Sequence, residues 1–255
     1  MAPRIAIPMP HFSDREYAER AIPQYERAVE LAGGEAVRVS LDQTPDAISK
    51  VIERCDGVLL PGSKADVDPA RFKGARSAHT AAADPRRDAV DELLLHDAYN
   101  LRKPVLGVCY GLQTLNVYRA GSLIQHIPDF LPEEKRAKVN HEAGSKIAVA
   151  HGVEIEPNSR LAEIVSDNGA GRRSEVRGSI VLPVNSSHHQ SAEAIGDGLR
   201  IVARCPDDGI VEALEGTAPD HFVLAVQWHP ERSVDSDEAS RAIFRAFIDA
   251  AGNWR

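Results

Sequence analysis

The first hundred residues alternate short apolar runs with amphipathic ones. "RIAIPM" (4–9) and "EAVRVSL" (35–41) are apolar runs of strand length, whereas residues 15–32 place Tyr17, Ala21, Tyr25, Ala28 and Leu31 at helical spacing. Gly33 and Gly34 close that helix. A shorter helical pattern at 45–54 leads into the apolar "DGVLLPG" (56–62). The polar stretch from 63 to 83 that follows is long for a compact domain, which marks it as a functional loop. Across "DPRRDAVDELLLHDAYNLR" (84–102) the pattern predicts a helix with Asp84 as N-cap and Pro85 at its first position. Its apolar stripe runs through Val90, Leu93, Leu94, Ala98 and Leu101. "PVLGVC" (104–109) then reads as a buried strand.

Strands separated by helices of this length predict a parallel sheet covered on both faces. From about residue 145 the texture changes. "KIAVA", "VEIEP", "SIVLPVN", "LRIVARC", "GIVEALEG" and "FVLAVQW" are short β-rich runs between turn residues, predicting antiparallel strands and the far part of the sheet. "SDEASRAIFRAFIDAAG" closes the pattern as a helix with Ala239, Ile243, Phe247 and Ala250 facing inward. No repeat, low-complexity tract or linker divides the chain, so residues 1–255 read as one domain.

Composition narrows the function classes. With 255 residues and 43% hydrophobic content the chain can bury a substantial core. Its net charge of -8 and the absence of any run of five basic residues argue against nucleic acid or an acidic membrane as partner. No apolar run approaches 18 residues and the first residues lack a secretory pattern, so a cytoplasmic location is expected. The three cysteines, Cys55, Cys109 and Cys205, are odd in number and far apart, which suits reduced thiols.

Only Cys109 has chemistry written around it. In "GVCYG" it lies between Gly107 and Gly111, the small neighbours that a sharp strand-to-helix turn requires. A helix starting at Tyr110 aims backbone N–H groups and its positive dipole end at the sulfur, favouring thiolate, and the Tyr110 N–H is placed to stabilise an oxyanion. A small buried hydrophobe at a strand end fits the pentapeptide equally well. In "FVLAVQWHPE" an apolar run delivers His229, and Glu231 projects to the same side across Pro230, so a carboxylate can fix one imidazole tautomer. Taken with the elbow, that histidine is a base for a thiol.

These residues resemble the class I glutamine amidotransferase superfamily, and more closely its stand-alone γ-glutamyl-γ-aminobutyrate hydrolase group. "LLPGSKADVDPARF", "DPRRDAVDELLL", "KPVLGVCYGLQTLNV", "GSLIQHI", "VNSSHHQS" and "VQWHPE" appear in that group's order across about residues 4 to 250. The resemblance implies a flavodoxin-like three-layer α/β sandwich, with a central mostly parallel sheet and additional antiparallel strands in the C-terminal half. It also implies Cys109 as nucleophile, His229 as base and acid, and Glu231 as orienter. Backbone N–H groups at Gly62, Ser63 and Tyr110 would form the oxyanion hole. Gln113 would help hold the glutamyl moiety, and Asn185, Ser186, His188 and His189 would line the substrate side. Ser63 stands where the group usually has a second glycine, and Tyr110 where these hydrolases commonly carry arginine.

The reaction implied is cleavage of a γ-glutamyl amide through a γ-glutamyl thioester, with no cofactor. Two other functions stay open: a glutaminase subunit supplying ammonia to a partner synthase, and a non-catalytic homologue. A homodimer is the expectation from oligomer frequencies alone. His141 and His151, taken with His188 and His189, match no zinc-ligand spacing and read as polar loop residues near the cleft, with no metal. Asp66, Asp68 and Pro69 read as a turn, and Cys55 and Cys205 as structural; Arg86 and Arg87, in a first helical turn where positive charge is unfavourable, read as a solvated face, with an ion pair or a substrate carboxylate contact as the alternatives.

Overall fold

In the computed structural model, which describes residues 1–136, 138–166, 172–173 and 180–254, the alternating pattern of the first half becomes alternating structure. The elements are β1 (Arg4–Pro8), α1 (Arg15–Leu31), β2 (Glu35–Val39), α2 (Pro45–Ile52), β3 (Gly57–Leu60), α3 (Pro85–Leu101), β4 (Val105–Val108) and α4 (Tyr110–Tyr118). Asp84 caps α3 by accepting the Arg87 N–H at 3.1 Å, and Pro85 occupies the first turn, where its missing N–H costs nothing. The second half holds β5 (Leu123–Ile124), α5 (Ile127–Phe130), α6 (Glu133–Arg136), β6 (His151–Ile155), α7 (Arg160–Ser166), β7 (Arg172–Arg173) and β8 (Ile180–Val184). It continues with β9 (Ser191–Ala192), β10 (Leu199–Arg204), β11 (Val211–Gly216), β12 (Val223–Val226) and α8 (Glu238–Asn253).

Among the described residues one large mixed sheet runs β2-β1-β3-β4-β12-β11-β10-β6-β8-β7, and β5 pairs with β9 apart from it. The first five strands are mutually parallel; from β11 onward every pairing is antiparallel. Alternation along each strand sends successive side chains to opposite layers. Ile5, Ile7, Leu59 and Val108 meet Ile22 and Val29 of α1 and Phe244 and Phe247 of α8. Ala6, Val58, Leu60 and Val105 meet Ile48 of α2, Leu94 of α3 and Leu112 of α4 on the other face. The result is the three-layer α/β sandwich that the sequence predicts. No helix among the described residues is long and apolar enough to cross a membrane.

Three local expectations fail. The buried face of α1 is Ala18, Ile22, Tyr25, Ala28 and Val29, so Tyr25 and Ala28 face inward as predicted, whereas Tyr17 and Ala21 are only half-buried and Leu31 is 53% exposed. Tyr17 escapes the core because its ring turns to the loop after β3, where Lys64 Nζ lies 4.9 Å from its centroid. Leu101 is exposed because Arg102 takes the left-handed conformation (φ 57°) and ends α3 there. "KIAVA" forms no strand: Ile147 and Val149 face outward, and pairing with β8 begins at His151.

Candidate active site

Three neighbouring parallel strands, β3, β4 and β12, end at the same edge of the sheet, and each delivers one part of the site in the residues just beyond it. Register does the alignment. Leu60 pairs with Gly107 and Val226 with Val108, and the Cys109 N–H continues the ladder by donating to the Val226 carbonyl at 2.8 Å. Gly62, Cys109 and His229 therefore emerge side by side. A methyl group added to Gly62 would lie 3.0 Å from His229 Cε1 and 3.7 Å from Cys109 Cβ, so the cysteine and histidine side chains both approach one glycine.

Cys109 sits on a strained elbow with φ 53° and ψ -104°, a conformation that costs a side-chain-bearing residue about 1–3 kcal/mol. Its neighbours are glycines for steric reasons. A Cβ on Gly111 would run into the Leu60 carbonyl, and one on Gly107 would meet the Gly111 carbonyl carbon at 2.9 Å. Each collision would push α4 away from the sheet and carry the sulfur with it.

The electrostatics reverse one sequence expectation. Burial pushes the Cys109 thiol up to about 12, outweighing the Arg232 guanidinium and the Tyr110 N–H that both favour thiolate. The resting sulfur is a thiol, on a residue only 6% exposed. Burial also depresses His229 below its ordinary value, against the opposing pull of Glu231, so the resting ring is neutral. Burial alone would raise Glu231, yet His229 and Arg232 hold it below the usual carboxylate range. His229 Nδ1 donates to Glu231 Oε1 at 2.7 Å, which leaves Nε2 as the free basic nitrogen.

The nominated oxyanion donors are in different states. The Gly62 N–H donates to the buried Tyr25 hydroxyl at 3.0 Å, so this donor is engaged. Ser63 Oγ folds back to accept the Ala65 N–H at 3.1 Å. The Tyr110 N–H faces the sulfur, while the Tyr110 hydroxyl donates to Asp88 Oδ1 at 2.5 Å, pinning α4 to α3.

Arg87 is fully buried and ion-paired with Asp91, which overturns the solvated face expected first and bears out the ion-pair alternative. Its Nε donates to Asp91 Oδ1 at 2.7 Å, Nη1 to the Pro10 carbonyl at 3.1 Å and Nη2 to the Pro61 carbonyl at 2.8 Å. Its guanidinium also lies 5.0 Å from the Tyr110 ring centroid. One side chain thus ties the loop after β3 to the residue after the thiol. Helix position alone concealed this, because the partners are carbonyls distant in sequence.

The nominated substrate residues are mostly engaged in holding the frame. Asn185 clamps the His229 backbone twice, its Nδ2 donating to the carbonyl at 2.8 Å and its Oδ1 accepting the N–H at 3.0 Å. Ser186 Oγ donates to the His141 carbonyl at 2.7 Å and is wholly buried. Gln113 Nε2 donates to the Gln190 carbonyl at 3.2 Å and to Gln227 Oε1 at 3.4 Å. His189 Nε2 lies 3.0 Å from Asp66 Oδ1, which makes Asp66 a partner of His189 rather than a bare turn residue. The His188 ring is buried and faces Glu212, with His141 and His151 beside it. His141 and His188 are loop residues as expected, while His151 opens β6; what their spacing along the chain does not show is that all three rings converge on Glu212. Glu212, Tyr25 and Arg232 had no sequence signal, since each acts through neighbours remote along the chain.

Likeness to known proteins follows the same outline. A candidate GMP synthase component of Thermoplasma acidophilum superposes with a TM-score of 0.62 at 15% identity, covering 100% of this chain and 96% of its own. The glutaminase domain of Trypanosoma brucei CTPS with bound acivicin gives 0.59 at 20% identity, covering 99% of this chain and 96% of its own. The fold is that of the glutamine amidotransferases. Within it, the chain belongs to the Peptidase C26 family, whose sequence model matches residues 6–231. A Mycobacterium tuberculosis protein named as a candidate glutamine amidotransferase is 34% identical over 233 residues, which is 90% of this chain and 67% of that one. The γ-glutamyl-γ-aminobutyrate hydrolase of Escherichia coli K12 is 31% identical over 210 residues, 81% of this chain and 76% of that one. These relatives support a hydrolase.

Proposed function

We propose that the chain hydrolyses γ-glutamyl amides of small amines, with Cys109, His229 and Glu231 as its working groups. The observation that supports this most directly is a cysteine and a carboxylate-braced histidine, at the ends of adjacent strands, whose side chains both approach Gly62. The likeness to the Escherichia coli hydrolase supports the choice of bond.

Substrate binding brings the γ-carbonyl carbon to the sulfur. His229 Nε2 takes the thiol proton as Sγ attacks, because a thiol pushed up to about 12 does not ionise unaided near neutrality. The carbonyl oxygen becomes an oxyanion, stabilised by the N–H groups of Tyr110 and Ser63; that of Gly62 joins them only if Tyr25 withdraws. Glu231 stabilises the imidazolium formed in this step. The imidazolium then protonates the leaving nitrogen, the C–N bond breaks, and a γ-glutamyl thioester remains. A water molecule gives its proton to His229 and attacks the thioester. Collapse releases glutamate and restores the thiol.

The test is turnover of glutamine and a panel of γ-glutamyl amides by the purified protein alone, with Cys109→Ala as control. Hydrolysis of the panel that disappears in the variant supports the reading. Silence on every member, with no selective labelling of Cys109 by an electrophilic glutamine analogue, overturns it.

A further inference from the structure

We propose that His141, His151, His188 and Glu212 bind one divalent transition-metal ion of the zinc class, forming a structural centre separate from the thiol site. The argument starts from proton positions. His188 Nδ1 lies 2.9 Å from the Gln190 carbonyl, and His151 Nδ1 lies 3.1 Å from the Gly152 carbonyl. A carbonyl only accepts, so both rings carry a proton on the outer nitrogen and turn Nε2 inward as a lone pair. His141 is the mirror case: Nε2 lies 2.8 Å from Asp208 Oδ2, which turns Nδ1 inward.

All three inward nitrogens face the same carboxylate oxygen. Glu212 Oε1 is 3.3 Å from His141 Nδ1, 3.6 Å from His151 Nε2 and 3.5 Å from His188 Nε2. Among the described residues these three nitrogens, and both oxygens of Glu212, have no hydrogen-bond partner. All four side chains are at least nine-tenths buried. Four electron-pair donors converging in a buried space repel one another unless something positive lies between them.

The spacing selects the cation. Bonds of about 2.0–2.1 Å to a tetrahedral zinc place ligand atoms about 3.3–3.4 Å apart, close to the separations around Glu212 Oε1. All four ligand atoms lie within 4.8 Å of one another. The donor set of three imidazoles and a carboxylate suits zinc and its first-row neighbours better than calcium or magnesium, which prefer all-oxygen shells. The outer hydrogen bonds from each ring to Asp208, Gly152 and Gln190 are the supports that orient metal-ligating histidines. A cavity of about 270 Å³ lined in part by Leu131, Val139, His141, Glu142 and His188 gives an ion a route inward.

Four protein ligands leave no open position, so the centre holds structure rather than activating water. It joins the segment carrying His188 to β6, to β11 and to the loop at His141. That segment also holds Asn185, whose amide grips both backbone polar groups of His229. The ion would thus fix the platform on which the imidazole of the thiol site is hung.

The alternative is a metal-free network in which a proton takes the cation's place. In that case His141 is an imidazolium bridging Asp208 and Glu212, and no metal binds.

The experiment needs no turnover and so stands apart from the amidase reading. Protein purified without a histidine tag is assayed for metal by elemental mass spectrometry, stripped with dipicolinate, and titrated with Zn²⁺ and Co²⁺. About one ion per chain, a lower Tm after stripping that Zn²⁺ restores, and a four-coordinate Co²⁺ visible spectrum are expected. Glu212→Gln should abolish stoichiometric binding. Asp208→Asn, which touches only an outer support, should weaken it by about 10–100-fold and serves if the first variant does not fold. Stripped wild-type protein that keeps its Tm and takes up no Zn²⁺ at micromolar concentration overturns the proposal.

Discussion

The parallel and antiparallel halves of the sheet each bury a polar cluster, and they assemble it by different means. In the parallel half, β3, β4 and β12 end at one edge, so whatever follows each strand is brought to the same place. Cys109 and His229 are the first and third residues after their strands. In the antiparallel half, Glu212 lies within β11, His151 opens β6, and His141 and His188 lie on loops. Their meeting depends on register across several strands and on which way each side chain projects. The first cluster is an edge effect of topology; the second is a product of long-range packing.

The largest expected effect breaks the two clusters apart. Cys109→Ala should lower kcat on γ-glutamyl amides by roughly 10⁴-fold or more, as removal of a catalytic nucleophile does. Metal content and Tm should stay at the wild-type level, because Cys109 is not among the four ligands His141, His151, His188 and Glu212. Mass spectrometry and calorimetry on the same preparation measure both, and joint loss of metal and activity would contradict the independence of the two clusters.

Glu231→Gln should come next. The amide still contacts His229 Nδ1 but no longer supplies the charge that stabilises an imidazolium, which in a comparable triad costs about 10⁴-fold in kcat. The loss should be smaller than for Cys109→Ala, since thiol and base both remain. Steady-state rates of the two folded variants side by side settle the ranking. Equal loss would make Glu231 more than an orienter.

Legibility followed the same division. The elbow could be read because its constraints are local: Gly107, Cys109 and Gly111 lie within one turn of backbone, and His229 and Glu231 are two residues apart. The alternating strands and helices were legible for the same reason, being short-period patterns. The face of α1 is legible only in part: Tyr25 and Ala28 are buried as their spacing predicts, but the rest of the face is decided by what α1 packs on, here Phe244 and Phe247 of α8. The convergence of the histidines is not legible because zinc-ligand spacing is informative only when ligands share a turn or hairpin. Here they come from scattered segments, and Glu212 is one acid inside an apolar run. Arg87 was hidden likewise, its partners being the carbonyls of Pro10 and Pro61.

Arg87 offers the next test, because it braces the parallel half from within. Arg87→Met keeps the stem but leaves Asp91 buried without its partner and frees the Pro10 and Pro61 carbonyls. Breaking a buried ion pair from one side costs about 3–5 kcal/mol, so denaturant midpoints should fall well below those of the wild type. If the stability is unchanged, the guanidinium does not hold the loop after β3. A metal content that stays at the wild-type level in the folded fraction would sharpen the contrast between the halves.

The smallest expected effect is on the pH profile, and its sign is fixed by two opposite shifts. Burial holds His229 below 6.5, so the ring stays neutral, and able to accept the thiol proton, to lower pH than a free imidazole would. The acid limb of kcat/KM should therefore have its midpoint below 6.5. Burial pushes Cys109 up to about 12, so spontaneous thiolate formation adds nothing across the neutral range and no second rise should appear between pH 7 and about 10. Removing the Glu231 charge takes away a group that raises His229, so Glu231→Gln should move the acid limb further down while lowering the plateau. A wild-type profile that instead climbs through pH 8–9 would mean that the thiol ionises before the substrate arrives. The sulfur would then be governed by Arg232 and the Tyr110 N–H rather than by burial, and the base assigned to His229 would not be needed for the first step.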